Sequence, residues 1–339
     1  MTQARIKLLV AAAMAVAAVV GWSPPVTAGG GNAADRSAKP MTVAVIGDVP
    51  YGIAQEASFD ELIDAVNDDP KVRVVMHVGD IKSGSTTCSD ERFAAVRDAF
   101  DEFEDPVVYT PGDNEWTDCH RANNGGYDPL ERLDAVRSMF FDRPGSTMGR
   151  RMRVEHQLPF VENVRWIESR VAFATLHVIG SNNGLAPYTG LGYQSPTAEQ
   201  VAEVEARVAA AISWVDATFD AAEASDLRGV VLAMQADTWD PVPSSGQQAI
   251  VGRIATRTAG FEGQVLLLQG DSHEFVADNP LGLPNFTRIV VHGATLPFEY
   301  LRLTVDPRDP QLFSWARVQV TQPPSGRIDA QVGRRSDHS

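Results

Sequence analysis

The segment VVYTPGDNEWTDC (107–119) carries an apolar run into a Gly-Asp turn, and that turn recurs along the chain. VAVIGD (43–48), VMHVGD (75–80), VVYTPGD (107–113) and VLLLQGD (265–271) all end the same way, leaving Asp48, Asp80, Asp113 and Asp271 at four run ends. Short apolar runs closed by turn residues read as buried strands. In an open α/β sheet the carboxyl ends of parallel strands converge on one crevice. Glycine permits the sharp turn, and the aspartate then points into that crevice. Converging carboxylates repel: at about 4 Å a pair costs roughly 1 kcal/mol in water and about 4 at an effective dielectric of 20. Such a grouping is expected where a cation sits among the acids or where their pKa values rise.

Outward from these turns, strand-like runs at 41–47, 72–79, 106–110, 170–180, 229–235 and 264–270 alternate with helical patterns. The helices fall near 56–67, 90–103, 129–140, 197–223 and 245–258. The clearest is 197–223, where Thr197 and Gln200 form a capping box and Val201, Val204, Val208, Ile212, Val215 and Phe219 share one face. This alternation predicts βαβ units and a largely parallel inner sheet. After Gly282, RIVVHG, EYLRLTV and LFSWARVQV follow without a helix and are expected to be antiparallel strands completing a second sheet.

The ends of the chain read differently. Arg5 and Lys7 precede the apolar LLVAAAMAVAAVV (8–20), and Val26-Thr27-Ala28 supplies small residues, so 1–28 reads as a secretory signal peptide. A retained anchor is the alternative, although the run is short for a span. Residues 29–40 read as a flexible leader, 41–321 as the folded domain and 322–339 as a polar tail. The expected location is therefore secreted, periplasmic or cell-envelope, with no membrane span after cleavage. Cleavage removes two of the 29 basic residues, leaving 27 against 44 acids, a net −17. That charge excludes wrapping nucleic acid or lying on an anionic membrane. In an exported chain the two cysteines, Cys88 and Cys119, point to a disulfide, with two free thiols as the alternative. A bridge would close a loop of about 32 residues and stabilise by roughly 3–4 kcal/mol.

His273, two residues after Asp271, adds a nitrogen donor, and Gln235 ends the run GVVLAMQ at the same edge. The candidate metal ligands are thus Asp48, Asp80, Asp113, Asn114, Gln235, Asp271 and His273. An oxygen-rich set suits Mn²⁺, Mg²⁺ or Ca²⁺, with iron and zinc also compatible.

The motif order resembles that of the calcineurin-like metallophosphoesterases over roughly residues 42–275. That family reads D-x-H, GD, GNH(D/E), a lone His after an apolar strand, then GH-x-H. This chain reads GDVP (47–50), GDIKSG (79–84), PGDNE (111–115), VVLAMQAD (230–237) and GDSH (270–273). ISWVDATF (212–219) also resembles the helix before the family's lone histidine. The resemblance implies a four-layer α/β/β/α sandwich of two mixed sheets flanked by helices. It also implies one or two divalent metal ions and hydrolysis of phosphomonoesters or phosphodiesters, small or macromolecular, by metal-activated water.

The departures are systematic. Pro50 stands at the D-x-H histidine, Gln235 at the lone histidine and Asp271 at the first histidine of GH-x-H, while His273 matches the last. Asp113 aligns with the asparagine ligand and Asn114 with the catalytic histidine; a shift of one residue makes Asn114 the ligand instead. Asn114 can donate a hydrogen bond but supplies no proton. A weak esterase, one favouring good leaving groups, or a different acid follows, with His120 in TDCHR as the candidate. His77 and His177 lie inside strands and read as core residues. Tyr51 reads as a packed aromatic, with a phenolate ligand as the alternative. The loops 81–93 and 115–126 start beside the site, so a Cys88–Cys119 bridge would staple its rim and hold Lys82 and Arg121 as phosphate-binding charges. GSNNG (180–184) offers Asn182 or Asn183 to a substrate, with a plain turn as the alternative. The competing reading is a catalytically weak or inactive binding protein on the same fold.

Overall fold

The apolar runs become strands because each has two faces to bury. The structure, a computed structural model, describes residues 39–320. The segments read as signal peptide, leader up to residue 38 and polar tail lie outside the described residues. In chain order the strands begin with β1 (Met41–Ile46), β2 (Val72–His77), β3 (Pro106–Tyr109), β4 (Met148–Gly149), β5 (Glu155–His156) and β6 (Val164–Glu168). They continue with β7 (Val171–Thr175), β8 (Gly229–Ala233), β9 (Gln264–Gln269), β10 (Val276–Asp278), β11 (Phe286–Val290), β12 (Glu299–Val305) and β13 (Phe313–Gln319). One sheet runs β13-β12-β1-β2-β3-β4 and the other β10-β11-β9-β8-β7-β6-β5. The centres, β1-β2-β3 and β7-β8-β9-β11, are parallel.

Alternation along β8 shows how the layers form. Val231 and Ala233 join the core between the sheets, with Leu266 and Leu268 of β9. Val230 and Leu232 face the opposite way, packing with Trp214, Val215, Phe219, Ile250 and Ile254. Those last five belong to α5 (Ala198–Ala224) and α6 (Gln248–Gly260), while α1 (Gly52–Glu56), α2 (Phe59–Asn67), α3 (Asp90–Asp101) and α4 (Pro129–Phe140) precede them. Phe59 and Leu62 of α2 and Phe93, Val96 and Phe100 of α3 pack in the cluster of the first sheet. Two mixed sheets face to face with helices outside give the α/β/β/α order. A strand buried on both faces must be apolar at every position, which is why its sequence shows a run and not an alternation.

Local signals set the helix starts. The Thr197–Gln200 capping box is formed in full, and Asp128 caps α4 just before Pro129 at its first turn. Among the described residues no helix is long and apolar enough to cross a membrane.

The C-terminal strands depart from expectation. β11 extends the second sheet parallel to β9, whereas β12 and β13 add antiparallel to β1 in the first. The apolar residues Leu301, Leu303 and Val305 bury against the first core, which draws the strand to that edge. The short strands β4, β5, β6 and β10 were also missed, being two to five residues long with mixed burial.

Candidate metal centre

The Gly-Asp turns add a second device to the one the sequence suggests, which Gly79 (φ 101°) does use. Asp48 (φ 55°), Asp80 (φ 60°), Asp271 (φ 75°) and His273 (φ 64°) are themselves left-handed. Such backbone costs of order 1–3 kcal/mol per residue and persists where the surroundings over-determine it. The glycines serve close approach. A Cβ on Gly112 would stand 2.0 Å from Asp80 Oδ1, and one on Gly270 2.8 Å from Asp48 Oδ2. The glycine of one turn is the slot for the carboxylate of another.

Through these slots the acids meet. One oxygen each from Asp80, Asp113 and Asp271 lie within 4.8 Å of one another. Asp48 joins them: the Asp271 amide donates to both its oxygens at 3.2 Å, and His273 Nε2 stands 3.6 Å from its Oδ1. Burial first, then the neighbouring carboxylates, push Asp48 and Asp80 well above the ordinary carboxylate range. Asp271 is pushed up to about 8, again by burial and then by Asp113. A divalent cation relieves this repulsion, and carboxylate oxygens are the donors that a hard cation takes. The residues present therefore fit such an ion: the three-carboxylate group could hold one, with Asp48 and His273 alongside.

Tyr51 lies inside this group, contrary to its reading as a packed aromatic. Its hydroxyl donates to Asp80 Oδ2 at 2.9 Å and accepts from Asn114 Nδ2 at 2.7 Å. With Pro50 in place of the expected histidine, the next side chain turns inward. Asn114 also reaches Asp80 through its backbone amide (3.1 Å) and its side-chain amide (2.9 Å). Glu115 fixes this turn from behind. It is buried, and its Oε1 accepts from the Asp80 amide (3.0 Å), the Gly112 amide (2.8 Å) and the Tyr109 hydroxyl (2.6 Å).

Gln235 reaches the edge as expected but turns its other end inward. Its Oε1 accepts the Gly180 amide at 2.7 Å, which leaves Nε2 facing Asp80 Oδ2 (3.2 Å) and Asp113 Oδ1 (3.3 Å). An amide NH₂ donates and does not ligate a cation. Gln235 is thus a donor that holds two carboxylates, which corrects its assignment as a ligand. Asp113 is held on its other oxygen by Ser181 Oγ at 2.6 Å, a residue with no sequence signal.

The expected substrate-side residues divide. Lys82 is fully buried, and its ammonium donates to Asn114 O (2.6 Å), Asn124 Oδ1 (2.8 Å) and Ser83 O (3.0 Å). All three of its donors are spent on the loop, so the phosphate-binding expectation is corrected: Lys82 ties the two loops together. Burial lowers it to about 8. Arg121 is half-exposed and pairs with Asp118 at 2.6 Å. Gly84 packs closely on this turn: a Cβ there would stand 3.0 Å from Asn114 Oδ1 and 3.4 Å from both Arg121 Nη1 and Asp118 Oδ2.

Among the described residues, His120 makes no hydrogen bond to the acids; its Nδ1 accepts the Gly190 amide at 3.0 Å and its ring packs on Tyr188. Asn182 Oδ1 accepts from the Gly246 amide (2.9 Å) and Ser245 Oγ (3.1 Å), so that side chain pins a neighbouring turn. The structure thus uses both side chains internally, where the sequence offered them to chemistry and substrate. Asp118 went unnoticed. Burial, then Asp113, raises it to about 7, with Arg121 opposing. An aspartate in a short 3-10 turn carries no sequence mark of such a setting.

The bridge Cys88–Cys119 is formed, with Cα atoms 5.7 Å apart. Both sulfurs pack against the Asn114 carbonyl, at 3.6 and 3.7 Å, so the staple sits directly behind the turn.

Residues 41–190 match the model of the calcineurin-like phosphoesterase family. No curated protein sequence matches the chain. Among solved structures, a dimetal phosphatase from Danio rerio is similar at 14% identity and a TM-score of 0.49, covering 83% of this chain and 97% of that one. GAP50, the anchor in the inner membrane complex of Plasmodium, is similar at 9% identity and a TM-score of 0.44, covering 84% and 90%.

Proposed function

We propose, from the match of residues 41–190 to the calcineurin-like phosphoesterase family, that this chain is a secreted, metal-dependent phosphoric ester hydrolase. Its substrates are phosphomonoesters or phosphodiesters. The observation that carries this reading is the meeting of Asp80, Asp113 and Asp271 within 4.8 Å at the strand ends. Asp48, His273 and the Tyr51 hydroxyl extend the donor set. A bound divalent cation, Mn²⁺, Mg²⁺ or Ca²⁺ by the oxygen-rich donors, supplies Lewis-acid charge and acidifies water.

The chain's own residues do the rest. Gln235 and Ser181 hold the carboxylates in place, and Glu115 holds the Asp113-Asn114 turn. Arg121, half-exposed and paired on one side with Asp118, stands beside the Asn114 turn, where its guanidinium can give a phosphate oxygen charge-assisted hydrogen bonds. Asn114 supplies no proton, and both its amide hydrogens go to Tyr51 and Asp80, so esters with good leaving groups react fastest.

The test is metal analysis together with turnover of p-nitrophenyl phosphate and bis(p-nitrophenyl) phosphate with added Mn²⁺, Mg²⁺ or Ca²⁺. Metal-dependent release of nitrophenolate supports the reading. No bound metal and no turnover under any of these conditions sinks it and leaves a binding protein on this fold. Secretion is checked by the N-terminus of the exported protein, expected at residue 29.

A further inference from the structure

A second polar cavity lies at the opposite edge of the sheets. It holds about 420 Å³ and is bordered by Met41 at the start of β1, Val74 in β2 and Pro106 at the start of β3. These are the amino ends of the strands whose carboxyl ends carry Asp48, Asp80 and Asp113. Six-residue strands separate the two places by about 20 Å.

Its charge is the reverse of the chain's. The protein has 29 basic against 44 acidic residues, yet Lys39, Arg73, Arg150 and Arg151 all line this one cavity. Glu168 lines it too, and Asp105 stands beside it, paired to Arg150 at 2.8 Å. Among the described residues, four cations therefore meet two carboxylates. Arg73 is fixed in place, its Nη1 donating to the carbonyls of Pro70 (2.8 Å) and Val72 (2.7 Å). Lys39 is anchored by its backbone, whose carbonyl accepts from Ser169 Oγ at 2.7 Å. Among the described residues, the Lys39 ammonium and the Arg151 guanidinium have no hydrogen-bond or ion-pair partner. Cations gathered round a cavity repel as the carboxylates do at the other edge, and an anion between them removes the cost. Apart from Ser169, the rest of its described lining is apolar: Pro40, Met41, Val74, Pro106 and Met152.

We propose that this cavity is a binding site for a small organic anion, with a phosphate or carboxylate head held by Lys39, Arg73 and Arg151 and an apolar body against the methionines and prolines. A volume of this size takes a molecule of metabolite dimensions. The site is separate from the metal centre and independent of the esterase reading.

The test is calorimetric titration of the full chain, metal-free in chelator, with phenylphosphonate, phenylacetate and neutral benzyl alcohol. Without metal the acidic edge repels anions, so binding reports the basic cavity alone. The expected result is saturable one-to-one binding of at least one anion, silence from benzyl alcohol, and weakening as salt rises. Lys39→Glu and Arg151→Glu remove side chains with no partner of their own, so the fold is kept. Each is expected to weaken binding about tenfold, with metal-dependent turnover unchanged. No saturable binding of either anion, or equal binding by both variants and the wild type, overturns the proposal.

Discussion

Two groups of buried charge sit near one another in this molecule, and they are built in opposite ways. At the strand ends Asp48, Asp80, Asp113 and Asp271 face one another, and burial plus mutual repulsion raises Asp48, Asp80 and Asp271. Behind them Glu162, also fully buried, is matched: Arg137 Nη2 donates to it at 2.6 Å and His177 Nδ1 at 2.8 Å. Burial alone would raise Glu162, but His177 and Arg137 outweigh it and hold the carboxyl down at about 2. Burial keeps His177 below its ordinary value, so it donates as a neutral imidazole and Arg137 carries the balancing charge. Arg207 extends the matched region, pairing with Glu203 at 2.9 Å and donating to Asn183 Oδ1 at 2.6 Å. Matched buried charge organises a core; carboxylates gathered without matching are where a cation belongs.

The sharpest break of this comparison is Asp80→Ala. Asp80 touches Tyr51, Asn114 and Gln235 and belongs to the three-carboxylate group, so its loss is expected to abolish metal binding. Esterase activity should fall by about 10³-fold or more, since Lewis-acid stabilisation is worth several kcal/mol. Metal analysis and aryl phosphate turnover measure both, and unchanged stoichiometry refutes the role. In the matched group, Glu162→Ala should cost about 3–5 kcal/mol in denaturant unfolding while leaving metal content intact. Lost metal without lost stability would invert the assignment.

Replacing both Cys88 and Cys119 by alanine should cost about 3 kcal/mol by the loop-closure account, the bridge spanning a separation of 31 residues. Because both sulfurs back the Asn114 carbonyl, turnover should also drop in the folded variant. A stability loss with turnover unchanged would show that the staple does not hold the turn.

The smallest effect is the most discriminating. Glu162 has a folded value, about 2, below its ordinary 4.5, so its stabilisation is full above about pH 4.5 and is lost as pH falls toward 2. Asp271 has a folded value, about 8, above its ordinary 3.8. Between those limits the unfolded chain has released a proton that the folded metal-free chain keeps, so stability falls as pH rises from about 4 to 8. Asp271→Asn should flatten that second slope and stabilise the metal-free protein at pH 7. Unfolding curves across pH, with and without chelator, check the sign; a metal-free protein that gains stability over this range contradicts it.

Much of this was open to reading in the chain itself. Runs such as VVLA in β8 and VLLL in β9 are buried on both faces, so their composition announces strands whatever their neighbours. The capping box at Thr197 fixes a helix start with two local bonds. The four Gly-Asp turns, repeated at strand ends, marked where acids gather. What a run of residues leaves undecided is direction. Gln235 was placed correctly at the edge, yet which end of its amide faces inward depends on the Gly180 amide, 55 residues away. Lys82 reads as a free cation until the carbonyls of Asn114 and Ser83 and the side chain of Asn124 are brought round it. Tyr51 reads as packing until its hydroxyl is found between Asp80 and Asn114.

The sequence by itself determined the layers, the strand ends and the acids that gather there, because burial, capping and turn chemistry act over a few residues. Only the tertiary structure decided which polar side chains are spent and which are left. Hydrogen-bond capacity is finite, and whether a donor or acceptor is already used depends on partners that the fold brings from elsewhere in the chain.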